Sequence, residues 1–159
     1  MYSAGVNGID LFLLGRTLMK IGEEAIPAEG IATRSAPDRS VLIVASDIRD
    51  HPGTSVTQIA DRTGFPQSQV SACTARLREA GAIEAEPDPA DRRRQLLRAA
   101  AKPSARVTQI RATPIDDALA AALGTDDPQR LAEVTAALET LARNLTPRAV
   151  TRMRSGPGA

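Results

Sequence analysis

The sequence has no tryptophan, one tyrosine, two phenylalanines, one cysteine and one histidine in 159 residues. Each shortage excludes something. A single cysteine permits neither an internal disulfide nor a thiolate cluster, and with His51 as the sole histidine a zinc site has no ordinary ligand set. With so few aromatics the core must come from Ala, Leu, Ile and Val, which suits closely packed helices because Ala and Leu rank highest in helix propensity. No window approaches the run of about 20 apolar residues that a membrane span needs, and the N-terminus lacks a basic stretch followed by an apolar one. A soluble cytoplasmic protein with no cofactor is expected. The chain also lacks a His/Cys/Asp constellation and a phosphate-binding glycine loop, so an enzyme is not expected.

What is present is mostly helical patterning. Apolar residues make up 42% of the chain, enough to fold, and the formal charge of +1 is not that of a bulk nucleic-acid binder. The distribution of charge says more than its sum. Among the 20 basic residues only Lys20 and Lys102 are lysines. The arginine bias fits a GC-rich coding sequence, and arginine is also the better side chain for bidentate phosphate and guanine contacts.

Taken in order, Asn7 and Asp10 form a plausible helix start, and Leu11, Leu14, Leu18 and Ile21 recur at helical spacing to about Ala25. Phe12 and Leu13 widen that stripe beyond what a small domain would cover, which points to a partner subunit. A break over 27–37 follows, with Ser35 and Asp38 as caps and Pro37 in the first turn of the next helix. Val41, Leu42, Ala45 and Ile48 give that helix its expected buried face, and His51-Pro52-Gly53 stops it. His51 is expected to cap or to face solvent.

The richest stretch is 55–98. Ser55 and Gln58 make a capping box, Ile59 and Ala60 face inward, and Gly64 supplies the positive φ of a sharp turn. Pro66 opens a second helix to about Ala80 whose core face is Val70, Cys73, Thr74 and Leu77. Its other face offers Gln67, Ser68, Ser71, Ala72, Ala75 and Arg78, short polar groups with no acid before Glu79. Gly81 ends it, and two short strands flank a tip that holds Arg92, Arg93 and Arg94. Adjacent arginines repel unless something anionic neutralises them. Asp88 and Asp91 can pair with part of that charge and shape the tip, and the narrow minor groove of DNA suits the rest. Helix, turn, helix and hairpin in this order describe a winged helix-turn-helix.

Beyond it, Pro114 interrupts the helical spacing of Val107, Ile110, Ala118 and Ala121, so a kinked helix or two short ones is expected. Gly124 and Pro128 bracket a junction capped by Asp127. Leu131, Val134, Leu138, Leu141 and Leu145 then form a seam too short to stand alone. The Arg-rich tail after Thr146 is expected to fray. The fold class is therefore mostly α with a small β-hairpin wing. The expected organisation is 1–34 as an N-terminal dimerisation helix and linker, 35–101 as the DNA-binding winged helix, and 102–159 as C-terminal dimerisation helices and tail.

Three motifs carry a family resemblance: Ser55-x-x-Gln58-Ile59-Ala60, then Leu77-Arg78-Glu79-Ala80-Gly81-Ala82-Ile83 preceded by Val70, then Asp88-Pro89-Ala90-Asp91-Arg92-Arg93. Over about 10–145 the chain resembles the MarR family (multiple-antibiotic-resistance regulators), and the third motif is similar to that family's wing signature. The resemblance implies a transcriptional regulator, a repressor, that binds double-stranded DNA as a homodimer on an inverted repeat. It places 66–80 in the major groove and the wing in the minor groove. Carried over by position, Ser55 would contact phosphate, Gln67, Ser68, Gln69 and Ser71 would read bases or phosphates, and Arg92, Arg93 and Arg94 would supply the wing. Ala72 stands where the family often has arginine, which shifts weight to the wing and to Arg76 and Arg78. Pro66 replaces the usual hydroxyl cap, and Pro114 falls in what is commonly one long helix.

Many members are released from DNA by a small aromatic or phenolic effector, but the scarcity of aromatics leaves no pocket to assign. Others sense oxidants through a cysteine. Cys73 is the candidate for that role, yet its place on the apolar side of its helix reads as a small buried hydrophobe. From another class, a winged helix that binds protein and not DNA would fit the near-zero net charge and the acidic residues between Glu79 and Asp91.

Overall fold

The structure is a computed structural model, and it describes residues 5–26 and 37–156. Among the described residues it contains α1 (Gly8–Ala25), α2 (Pro37–Asp50), α3 (Val56–Thr63), α4 (Gln67–Glu79), β1 (Ile83–Pro87), β2 (Gln95–Ala99), α5 (Ala105–Arg111), α6 (Asp116–Leu123), α7 (Pro128–Asn144) and α8 (Arg148–Ser155). This is the expected class, mostly helical with one antiparallel hairpin. The side-chain caps expected from Ser35 and Asp38, and the break over 27–37 up to Pro37, lie outside the described residues. The chain divides into two compact bodies, Met1–Pro27 with Ala112–Glu139, and Ala28–Arg111 with Thr140–Ala159.

In the first body α1 packs on α6. The Asn7 side chain accepts from the Ile9 and Asp10 amides at 2.9 and 3.0 Å, and Asp10 reaches back to the Asn7 amide, a reciprocal cap that satisfies free donors of the first turn. Leu119 of α6 is buried, yet no residue of α1 is. Leu18 and Ile21 are half-buried, while Ile9, Leu11, Phe12, Leu13 and Leu14 stay exposed. Pro114 yields two short helices and no kink, because it separates α5 from α6. Asp127 caps α7 through the Gln129 amide at 3.1 Å. Along α7, Leu131, Val134 and Leu138 are half-buried and Leu141 is exposed.

The second body has a continuous apolar core of Val41, Val44, Ile48, Ile59, Val70, Cys73, Leu77, Ile83 and Leu97, with Val107 of α5. The buried face of α2 is Val41, Val44 and Ile48, not the expected Val41, Leu42, Ala45 and Ile48. Leu42 is exposed and Ala45 half-buried, since spacing of three then four selects the stripe through Val44. The hairpin runs Ile83↔Ala99 to Pro87↔Gln95, so Pro87 belongs to the strand and not to the turn. Leu97 also exchanges backbone bonds with Thr54 (2.7 and 3.2 Å), which ties the wing to the α2–α3 junction. Residues 148–155, expected to fray, instead form α8.

Candidate nucleic-acid interface

Two helices and a hairpin tip form the site, and polar pairings between distant residues set their relative positions. Ser55 caps α3: its hydroxyl accepts from the Gln58 amide at 3.3 Å while Gln58 Oε1 accepts from the Ser55 amide at 3.0 Å. Gly64 takes φ 78° and turns the chain into α4, a conformation that a side chain would strain. Asp47 of α2 then clamps α3. Arg62 Nε lies 2.9 Å from Asp47 Oδ1 and Arg62 Nη2 lies 2.7 Å from Oδ2, and the same nitrogen donates to Thr54 Oγ1 at 2.5 Å. His51 closes the cluster, with Nδ1 3.0 Å from the Asp47 carbonyl, so it caps the end of α2.

Along α4 the sequence separates three faces. Val70, Cys73, Thr74 and Leu77 are buried, as the spacing predicts. Gln67, Ser68, Ser71, Ala72, Ala75 and Arg78 are exposed together and form the acid-free outer face. Gln69 and Arg76, seven positions and about two turns apart, share neither. Gln69 is half-buried and donates to Ser40 Oγ of α2 at 2.7 Å, and Arg76 is half-buried on the same flank.

The wing tip is built on its own acids. Asp88 Oδ1 accepts from the Ala90 amide at 2.9 Å, and Asp91 Oδ1 accepts from the Arg93 amide at 3.0 Å. Backbone bonds from Asp88 to the Arg94 carbonyl and from Arg94 to the Asp91 carbonyl (2.8 and 2.9 Å) close the loop. At the strands, Arg98 pairs with Glu86. The three arginines are then unequal. Arg94 folds back, donating to Ser55 Oγ at 3.1 Å with Asp88 Oδ2 at 3.9 Å from its Nε. Arg92 and Arg93 are exposed, and their side chains make no hydrogen bond or ion pair with any described residue. Ser55 is only 3% exposed, and its capping and wing bonds fill the capacity of its hydroxyl. Sequence reasoning missed the Arg62–Asp47 clamp and the Arg94–Ser55 tie.

An open cavity of about 420 Å³ lies on the same body between α2, the end of α4 and α5. Val41, Leu77 and Val107 supply its apolar wall, and Arg76, Arg106 and Arg111 stand at it with one carboxylate, Glu79. Cys73 is buried in the core, and burial pushes its thiol pKa up, partly offset by the Arg76 charge. Less thiolate at neutral pH means less reactivity. An alkylating reagent should therefore label Cys73 slowly in the folded protein and rapidly after denaturation at the same pH. Equal rates would show an accessible thiol. Among the described residues no group of His, Cys, Asp and Glu could hold a metal ion, and no helix is long and apolar enough to cross a membrane.

Residues 40–94 match the model of the MarR family. This segment is of the MarR family. The MarR-family segment begins at Ser40, the partner of Gln69, and ends at Arg94, the partner of Ser55, so it holds both ends of the pairings that set α4 and the wing. Among solved structures, the chain has the fold of a protein of unknown function from Listeria innocua, at 18% identity over 86% of this chain and 90% of that one, with a TM-score of 0.51. It is also similar to the PcaV transcriptional regulator of Streptomyces coelicolor in complex with its natural ligand (17% identity, 90% and 98% covered, TM-score 0.47). A mutant MarR from E. coli complexed with operator DNA is a further match (17% identity, 87% and 96% covered, TM-score 0.46). No curated protein matches the chain.

Proposed function

We propose that the chain is a sequence-specific DNA-binding transcriptional regulator, a cytoplasmic repressor that acts as a homodimer on an inverted-repeat operator. The observation that carries this reading is the pairing of an acid-free α4 face with a wing tip whose Arg92 and Arg93 have no carboxylate to neutralise them. In it, Gln67, Ser68, Ser71 and Arg78 approach bases and phosphates in the major groove, and Arg92 and Arg93 enter the minor groove. Ser55 serves through Arg94, holding the wing at a fixed distance from α3. Gln69 and Arg76 act from the flank, Gln69 by seating α4 on α2.

The dimer follows from α1, where Ile9 and Phe12 are 72% and 74% exposed on a helix with no buried residue. A second copy of the chain covers that surface, and sedimentation should give twice the 16.8 kDa chain mass. A monomer at all concentrations would contradict it. The cavity beside α4 suits a small organic acid, with apolar walls for its body and Arg76, Arg106 and Arg111 for its carboxylate. Occupancy there would act on the end of the recognition helix, which is how an effector would release the operator.

Binding of a labelled duplex from the upstream region, repeated at several salt concentrations, tests the reading. Specific binding with a steep salt slope supports it. Equal affinity for scrambled DNA, or no affinity for DNA alongside capture of a protein on Gln67 to Arg78, would replace it with a protein-interaction module.

A further inference from the structure

After Thr146 the sequence offers only a tail, yet the structure seats the helix Arg148–Ser155 there. Arg148 Nη2 donates to the Asp50 carbonyl at 3.3 Å, and Arg154 Nη1 donates to the Arg62 carbonyl at 3.0 Å. Asp50 is the last residue of α2, and Arg62 lies in the last turn of α3. Helix C-termini carry partial negative charge and unsatisfied carbonyls, so two guanidiniums at two such ends are a favourable anchor. That anchor holds α8 on the same body as α4 and the wing, beside the turn through Gly64 that leads into α4.

The charge of this segment is one-sided. From 140 to 159 it contains Arg143, Arg148, Arg152 and Arg154 and no acidic residue. Arg152 is exposed and its side chain makes no hydrogen bond or ion pair with any described residue. Arg148 and Arg154 commit one nitrogen each to a carbonyl, which leaves most of their N–H donors available. Arg148 and Arg152, four positions apart, share one face of α8, and Arg154 projects from nearly the opposite side, so the helix presents a cationic pair with unused donors, fixed to the body that carries the proposed reading head.

We propose that α8 is an additional backbone clamp, with Arg152 at its centre and Arg148 one turn before it on the same face, that holds phosphates of the duplex outside the stretch read by α4. The inference rests on the DNA-binding reading, because the duplex brought in by α4 and the wing is the polyanion nearest to α8. The contact carries no sequence information: it adds affinity and lengthens the footprint.

The test uses the full chain and its Arg152→Ala and Arg152→Glu variants. Each is titrated with a duplex extending a full turn past both half-sites and with one trimmed to the half-sites. Arg152 is exposed and makes no hydrogen bond or ion pair with any described residue, so both variants should melt like the parent. On the long duplex Arg152→Ala should bind several-fold more weakly. Its salt slope should be shallower by about 2 per dimer, at about 0.9 for each phosphate no longer neutralised. Arg152→Glu should be weaker still, and the preference over scrambled DNA should not change. On the trimmed duplex the three proteins should converge. A parent that binds the long duplex specifically, together with variants of identical affinity and slope, would overturn the α8 clamp and leave the DNA reading intact. A parent with no duplex affinity would overturn both.

Discussion

Replacing Arg92 and Arg93 together with alanine should weaken operator binding by about 100-fold or more, on the scale of about 1–3 kcal/mol for each arginine that contacts DNA. Both side chains are exposed and unpaired, so their removal takes away nothing that holds the wing in shape. The loop keeps its bonds from Asp88 and Asp91 to the Ala90 and Arg93 amides, which involve backbone and not guanidinium. Stability should accordingly change by no more than about 0.5 kcal/mol, as for a surface substitution away from any network. The salt slope should become shallower, because fewer phosphates are neutralised and fewer counterions released. Arg94→Ala should behave differently, because it cuts the tie to Ser55 and frees Asp88. Its expected signature is a small stability loss together with weaker binding. Unchanged affinity in the Arg92 and Arg93 variant, measured by anisotropy on the same duplex, would remove the wing from the interface.

The second large effect is on stability. Asp47→Ala should destabilise the protein by about 3 kcal/mol, the lower end for removing one partner of a buried ion pair. The lower end applies because Asp47 is 10% exposed but Arg62 is 25% exposed. At roughly 2–4 °C per kcal/mol for a chain of this size, the melting temperature should fall by about 10 °C. The cost arises from what remains: a guanidinium left with Thr54 Oγ1 and without the carboxylate it faced. Replacing Arg62 with methionine in the same chain should therefore recover part of the loss, since it removes the orphaned charge. A thermal melt of the parent and the two variants checks this. If Asp47→Ala melts with the parent, the clamp does not hold α3 on α2.

The two predictions separate what is legible in the sequence from what is not. Caps and turns are legible because their partners are neighbours: Ser55 with Gln58, Asn7 with Asp10, and Gly64 at its positive φ. The core face of α4 is legible because helical spacing alone groups Val70, Cys73, Thr74 and Leu77. Pro114 is legible because a proline acts where it stands. The long-range polar pairings have no such signal. Asp47 and Arg62 are 15 positions apart, Ser40 and Gln69 are 29, and Ser55 and Arg94 are 39, and no periodicity links them. For that reason the family resemblance gives Gln69 a contact with bases or phosphates, whereas Ser40 draws Gln69 to the flank of α4. Sequence reasoning also sees Ser55 as a helix cap and not as the anchor of Arg94. Helix α8 is the extreme case, since its anchors are backbone carbonyls 98 and 92 positions upstream, which no side-chain pattern can announce.

The central claim is that a winged helix, paired across a two-fold axis, reads an inverted repeat. Selection of bound duplexes from a random pool by the full chain tests it most directly. The expected result is enrichment of one inverted repeat whose half-sites lie about one helical turn apart, roughly 34–36 Å centre to centre. Enrichment should be lost when Arg92 and Arg93 are alanine. A pool that returns no motif, or a single half-site with no symmetry, would contradict the account.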